Sequence, residues 1–249
     1  MTELAGRVAL VTGASKGIGA GIATAFGAAA KVAVGYARDR RGAERIVSEI
    51  EAAGGTAIVV QGDLARTADI ESMIAEAVAR LGPIDILVNN AAVFDFKPLP
   101  DMDEAHFHRI FNANVLGVLT TTRVAVANFS DLGGSVINIS SLSALGNAPG
   151  SAVYSASKAA VNAITKVLAL ELAERKIRVN AIMSGYFDTE GACAIGVRGS
   201  EQKARLLAAT PLEKRPGHPS DLSPVAIFLA SRASAWMTGE LLTVSGGQR

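Results

Sequence analysis

Val8-Ala-Leu-Val-Thr12-Gly13-Ala14-Ser15-Lys16-Gly17-Ile18-Gly19 is the stretch that decides how this chain is read. Its opening run is apolar without alternation, as in a strand covered on both faces. The glycines that follow let the backbone turn sharply into the helix-length segment beyond. A strand that passes through such a turn into a helix presents free N–H groups and the positive end of the helix dipole, and together these receive an anion. The spacing is Gly-x-x-x-Gly-x-Gly. It differs from the common Gly-x-Gly-x-x-Gly dinucleotide loop and lacks the Lys-Ser/Thr pair of a nucleoside triphosphate loop. Taken alone, the octet also suits an ordinary Gly-rich turn.

Outward from Val8–Thr12, six more β-rich runs recur: Val32–Tyr36, Ala57–Gln61, Ile84–Asn89, Ser135–Ile139, Arg178–Met183 and Leu241–Val244. Helix-length segments separate most of them, which is the βαβ pattern of a parallel sheet. Arg41–Ala53 and Ala68–Leu81 carry apolar residues at three- and four-residue spacing among charges, so they predict amphipathic helices on the sheet. Glu104–Asn128 and Ser151–Glu174 are longer and less charged, and predict helices buried on more than one side, as in an oligomer. The expected fold is α/β, a Rossmann-type doubly wound three-layer sandwich with a seven-stranded parallel sheet and helices on both faces.

At 249 residues, with no linker, repeat or charge block, the chain is expected to form one domain over 1–249. Gly185–Thr210 is Gly- and Ala-rich and poorly periodic, and a segment of about 186–210 is expected to cover the substrate. With 24 basic and 23 acidic side chains, no field of one sign attracts nucleic acid or lipid headgroups. The longest uncharged run, Leu132–Ser157, is too rich in Ser, Gly, Asn and Pro to cross a membrane. The N-terminus runs straight into a strand-like segment, so no cleaved leader is expected. One cysteine, Cys193, forms no internal disulfide, fits a reducing compartment such as the cytoplasm, and is expected to be a spectator. His106, His108 and His218 lack ligand-like company; they are expected at the surface, with no metal site.

Tyr154 and Lys158 lie four apart in an uncharged helical segment, which stacks their side chains on one face. A free phenol titrates near 10, and a nearby ammonium stabilises its phenolate, so the pair suits proton transfer at a carbonyl or alcohol. With the glycine octet, the segments Asp63-Leu64, Asn89-Asn90-Ala91-Ala92, Asn114-Val115-Leu116-Gly117, Ser141, Tyr154-Ser155-Ala156-Ser157-Lys158 and Asn180 to Thr189 resemble, in order and spacing, the short-chain dehydrogenase/reductase family. The likeness is greatest to its 3-oxoacyl-reductase-like and glucose-dehydrogenase-like branch.

That resemblance implies a catalytic set of Asn114, Ser141, Tyr154 and Lys158. Tyr154 is the implied acid or base, Ser141 donates to the substrate oxygen, Lys158 binds nicotinamide-ribose hydroxyls and lowers the Tyr154 pKa, and the Asn114 backbone holds a water near Lys158. It implies cofactor contacts from Gly13, Ser15, Lys16, Gly17, Ile18, Gly19, Tyr36, Arg38, Asp63, Leu64, Asn90, Ala91, Ala92, Gly185, Phe187 and Thr189. Ala92 stands where the family usually has Gly, and Ser184 where it has Pro. Without that proline the turn beside the nicotinamide is expected to loosen and to gain an N–H that needs a partner.

The second strand ends at Tyr36 without the acid that holds an adenine ribose, and Arg38 follows with Lys16 as a second cation, a charge pattern that favours NADP(H). Asp39 leaves NAD(H), and with it a polyol or sugar dehydrogenase, as the alternative. Phe94, Leu142, Asn147 and Tyr186 are expected to wall a modest, partly apolar substrate beside Ser141 and Tyr154. The run Asn128–Gly134 lacks the basic residues that receive an acyl carrier protein, so a free small-molecule carbonyl ranks above it, with Arg175 and Lys176 as counter-evidence. A catalytically silent NADP-binding regulator or scaffold is the reading from another class. The uncharged helices and last strand resemble the elements that build the family's homotetramers.

Overall fold

A computed structural model of the chain describes residues 4–146, 149–190 and 201–248, without the side chain of Gln202. Seven strands form one sheet: β1 (Val8–Val11), β2 (Lys31–Tyr36), β3 (Thr56–Gln61), β4 (Ile86–Asn89), β5 (Gly134–Ser141), β6 (Ile177–Ser184) and β7 (Leu241–Val244). Their order is β3-β2-β1-β4-β5-β6-β7, with every pairing parallel. The order reverses between β1 and β4, and the crevice outside the carboxyl ends of strands at such a switch point is where open α/β sheets bind ligands.

Alternation along each strand sorts the core into two layers. Ala9 and Val11 point to one face, where Ile22 and Phe26 of α1 (Gly17–Gly27), Ile46 and Ile50 of α2 (Arg40–Ala52) and Leu222, Ala226 and Leu229 of the last helix pack on them. Val8 and Leu10 point to the other, against Ile70, Met73 and Ile74 of α3 (Thr67–Leu81), Ala125 and Ala169.

The predicted helix over Glu104–Asn128 is two helices, α4 (Glu104–Phe111) and α5 (Gly117–Val126), joined by a π turn at Asn112–Leu116. A period-based reading carries through such a turn because it adds only one residue, and the side-chain amides at 112 and 114 were its one visible sign. Then follow α6 (Ala152–Glu171), α7 (Glu201–Ala208) and α8 (Pro219–Ala230). Among the described residues no helix is long and apolar enough to cross a membrane.

Two amides buried in the middle of the sheet stitch it to its helices. Asn89 Nδ2 donates to Thr122 Oγ1 of α5 and to Asn138 Oδ1, and Asn138 Nδ2 donates to Thr165 Oγ1 of α6, each at 2.9 Å. These bonds fix β4, β5, α5 and α6 relative to one another, and so set where the residues beyond the strand ends sit.

Phe26 is fully buried in the first layer. Phe26→Ala is expected to cost about 3–5 kcal/mol of folding stability, through lost burial and the cavity left behind, measured by denaturant unfolding.

Candidate active site

The octet does what its strand-turn-helix pattern predicts. Gly13 has φ 63° and Gly17 φ 60°, a left-handed backbone that favours glycine. Thr12 Oγ1 donates to Val88 O at 3.2 Å and accepts the N–H groups of Asn90 and Ala91 at 3.0 and 3.1 Å. Asn90 Nδ2 donates to the carbonyls of Thr12 and Gly13 at 2.9 and 3.0 Å. The Asn90 amide therefore positions the loop. At the start of α1 no side chain caps the helix and no acid lies in its first turn, so its N–H groups and dipole are open to an anion.

Beside the loop is a cleft of about 130 Å³, lined by Gly13, Tyr36, Asp63, Leu64, Ala91 and Ala92 among others. An elongated dinucleotide fits this arrangement, with its nucleoside in the cleft and its pyrophosphate at α1. Tyr36 is buried at the end of β2, and exposed Arg38 follows. Arg40 pairs with Glu44 at 2.7 Å, while Arg38, Arg41 and Lys16 have no ion-pair partner among the described residues. The Asp39 carboxylate caps α2 by accepting from Gly42 N–H at 2.9 Å.

Ser141 ends β5, and Tyr154 and Lys158 lie on α6, all at the carboxyl edge of the sheet. Burial pushes the Tyr154 phenol well above its ordinary value, and the neighbouring Ser141 hydroxyl opposes part of that rise. Burial also pushes the Lys158 ammonium down to about 8. Its Nζ donates to Ile139 O at 2.8 Å and sits 5.9 Å from the centre of the Tyr154 ring. The Ser141 hydroxyl accepts Ser143 N–H at 3.1 Å, so its oxygen is fixed from the protein side.

Asn114 lies in the π turn and joins three elements. Its Oδ1 accepts Val93 N–H at 2.7 Å, and its Nδ2 donates to Val93 O at 3.0 Å and to Ser157 Oγ at 3.1 Å. Ser157 in turn donates to Tyr154 O at 2.7 Å. The side chain of Asn114 thus ties the loop after β4 to the turn of α6 that carries Tyr154.

The Phe94 and Tyr154 ring centroids are 5.1 Å apart, and Leu142 is buried beside Ser141. Phe96, which the sequence reading passed over, faces Tyr154 at 5.5 Å. Alternation through Phe94-Asp95-Phe96 explains the pair, because Asp95 between them turns away to Arg109 and His106. His106 is a correction: it is only 3% exposed, with Nε2 3.2 Å from Asp95 O, whereas His108 and His218 are exposed. Asn147 and Cys193 lie outside the described residues.

The turn after β6 also departs from expectation. Ser184 does not loosen it: the residue pairs with Ser141 and Val244, and its hydroxyl donates to Ser140 O at 3.2 Å. Gly185 leaves room for the C-terminal turn, since a Cβ there would lie 2.6 Å from Gln248 Oε1. The Phe187 side chain is buried in the core, and Thr189 stands opposite Gly17, where a Cβ would meet it at 3.3 Å. Thr12, Phe96, Ser157 and Gln248 were missed because each acts through contacts distant in sequence.

Residues 13–249 match a family model described as enoyl-(acyl carrier protein) reductase. Over its whole length the chain is 49% identical to an oxidoreductase of Methylorubrum extorquens, all of which is covered. A blue fluorescent protein from a metagenomic library, solved in complex with NADPH, superposes with TM-score 0.92 at 34% identity, over 98% of each chain. A 7α-hydroxysteroid dehydrogenase complexed with NADH and 7-oxo glycochenodeoxycholic acid gives TM-score 0.93 at 34% identity, over 99% of this chain and 96% of that one.

Lys158 has a lowered pKa in the folded chain, about 8 against 10.5, so the unfolded chain holds more protons between those values. The stability linked to this group is present above 10.5 and is lost as pH falls through about 8. In the cofactor-free protein, the stability of wild type relative to Lys158→Met is expected to rise from pH 8 to pH 10.5, measured by denaturant unfolding across that window.

Proposed function

The chain belongs to the short-chain dehydrogenase/reductase family, and from that premise we propose that it is an NADP(H)-dependent oxidoreductase of small carbonyl or secondary-alcohol substrates. The observation that carries the reading is that Ser141 at the end of β5 neighbours Tyr154, which is buried with Lys158 at the same sheet edge as an uncapped Gly-rich helix start. When bound, the nicotinamide supplies or receives the hydride at the carbonyl carbon. Two hydroxyls converging on one site suit one substrate oxygen, with Ser141 donating a hydrogen bond and Tyr154 delivering the proton. A phenol raised by burial stays protonated at neutral pH, the form that reduction needs. Oxidation needs the phenolate, which added positive charge from Lys158 and an oxidised cofactor favours.

Arg38, exposed beside buried Tyr36 and without an ion-pair partner among the described residues, supports NADP(H), and Asp39 supports it further by capping α2. The NADH in the hydroxysteroid enzyme makes NADH the natural comparison. Phe94, Phe96 and Leu142 favour a substrate with an apolar body. Arg175 and Lys176 precede β6, at the opposite sheet edge from Tyr154, which removes them as a carrier-protein landing beside the site.

The chain would act as one catalytic domain, with 186–210 as substrate cover. Phe107, Leu116, Leu119, Val167 and Leu170 are exposed on the helices expected to meet partner copies, which supports a homotetramer. The lone cysteine and balanced charge support the cytoplasm.

Tyr154→Phe is expected to lower kcat by about 10²–10⁴-fold with NADPH affinity kept, read by turnover and by fluorescence titration; unchanged turnover contradicts the assignment, and a scaffold has no turnover to lose. Arg38→Ala is expected to weaken NADPH binding about 10–100-fold and leave NADH binding unchanged. Tighter NADH binding in the wild type overturns the cofactor preference.

A further inference from the structure

The C-terminal turn after β7 folds back over the far end of the 186–210 segment. Gly246 and Gly247 have φ 63° and 87°, and they lie so close that a Cβ on the first would be 2.9 Å from Thr210 Cγ2 and on the second 3.1 Å from Pro211 Cγ. Leu212 N–H donates to Gly246 O at 3.0 Å, which fixes the contact. Ser245 Oγ donates to Gln248 O at 3.1 Å. Together these turn the Gln248 side chain inward, where the residue is only 8% exposed.

There its amide meets both ends of the segment. Oε1 accepts Tyr186 N–H at 2.8 Å, directly after the turn that closes β6. Nε2 donates to Leu206 O in α7 at 3.2 Å and to Thr210 Oγ1 at 2.5 Å. The site needs an acceptor and a two-hydrogen donor on one side chain, which a primary amide supplies and an ionised carboxylate does not. Another tie across the same interval among the described residues, Lys203 to Asp188, is a partly exposed ion pair at 3.5 Å and a weaker restraint.

We propose that Gln248 is a positioning residue, a latch that joins Tyr186 to α7 and Thr210 and so holds together the two described flanks of the 186–210 segment for substrate binding. The proposal rests on the reading of 186–210 as that cover. It assigns Gln248 no contact with reacting atoms.

The test uses full-length Gln248→Met, which fills the space without the bonds, and Gln248→Glu, which keeps the acceptor and loses both donors. Each variant is measured for NADPH affinity, for kcat and KM with a ketone turned over by the wild type, and for the rate of tryptic cleavage after Lys203 and Arg205. The proposal expects cleavage to rise several-fold and KM about five- to tenfold, the size set by lost hydrogen bonds, with NADPH affinity and kcat within twofold. Unchanged cleavage and KM in both variants overturn it. Faster cleavage with unchanged KM upholds the latch and removes the substrate-cover reading. An equal fall in NADPH affinity and kcat overturns the positioning role in favour of a general structural one.

Discussion

A phenol and an ammonium four residues apart on α6, both taken out of water, place the strongest demand on this structure. Burial raises the proton affinity of Tyr154 and lowers that of Lys158, so each neutral form is favoured and neither group rests comfortably alone. The surroundings answer that demand locally. The Ser141 hydroxyl stands beside the phenol, and the Ile139 carbonyl receives the ammonium. Both come from β5, so the register of one strand positions the partners of both groups. The Asn89–Asn138 ladder then fixes β5 against β4 and α6, and Asn114 fixes α6 against the loop after β4.

This dependence explains which parts of the fold were legible. The seven strands stand out because parallel strands between helix layers are apolar on both faces, as in Val8–Val11, and the glycines after them mark where the chain must turn. Tyr154 and Lys158 were legible through helical spacing, and Ser141 through its place after a strand. The π turn was not, because one added residue leaves the apolar pattern on both sides intact. His106 looked like a surface residue because sequence alone does not show that Asp95 and Arg109 stand beside it. Gln248 gave no signal, since its partners at 186, 206 and 210 lie far back along the chain.

The departures from the family pattern have physical compensation. Where proline is usual, Ser184 stays in the ladder and bonds across to β5. The next turn then takes its fixed point from the C-terminal amide at 248. At position 39 the carboxylate serves the backbone, accepting Gly42 N–H at the start of α2. Local backbone needs therefore determine which neighbouring side chains remain for ligands.

The most direct test of the account is a spectrophotometric titration of tyrosine ionisation near 295 nm, with and without saturating NADP⁺, in the wild type and in Tyr154→Phe. The chain has three tyrosines, so a single phenol is resolvable. The account predicts that one phenol ionises well above the ordinary value of about 10 in the free protein, moves down when NADP⁺ binds, and is absent from the variant. A wild-type titration that NADP⁺ leaves unchanged, or a shift that persists without the Tyr154 phenol, would contradict it.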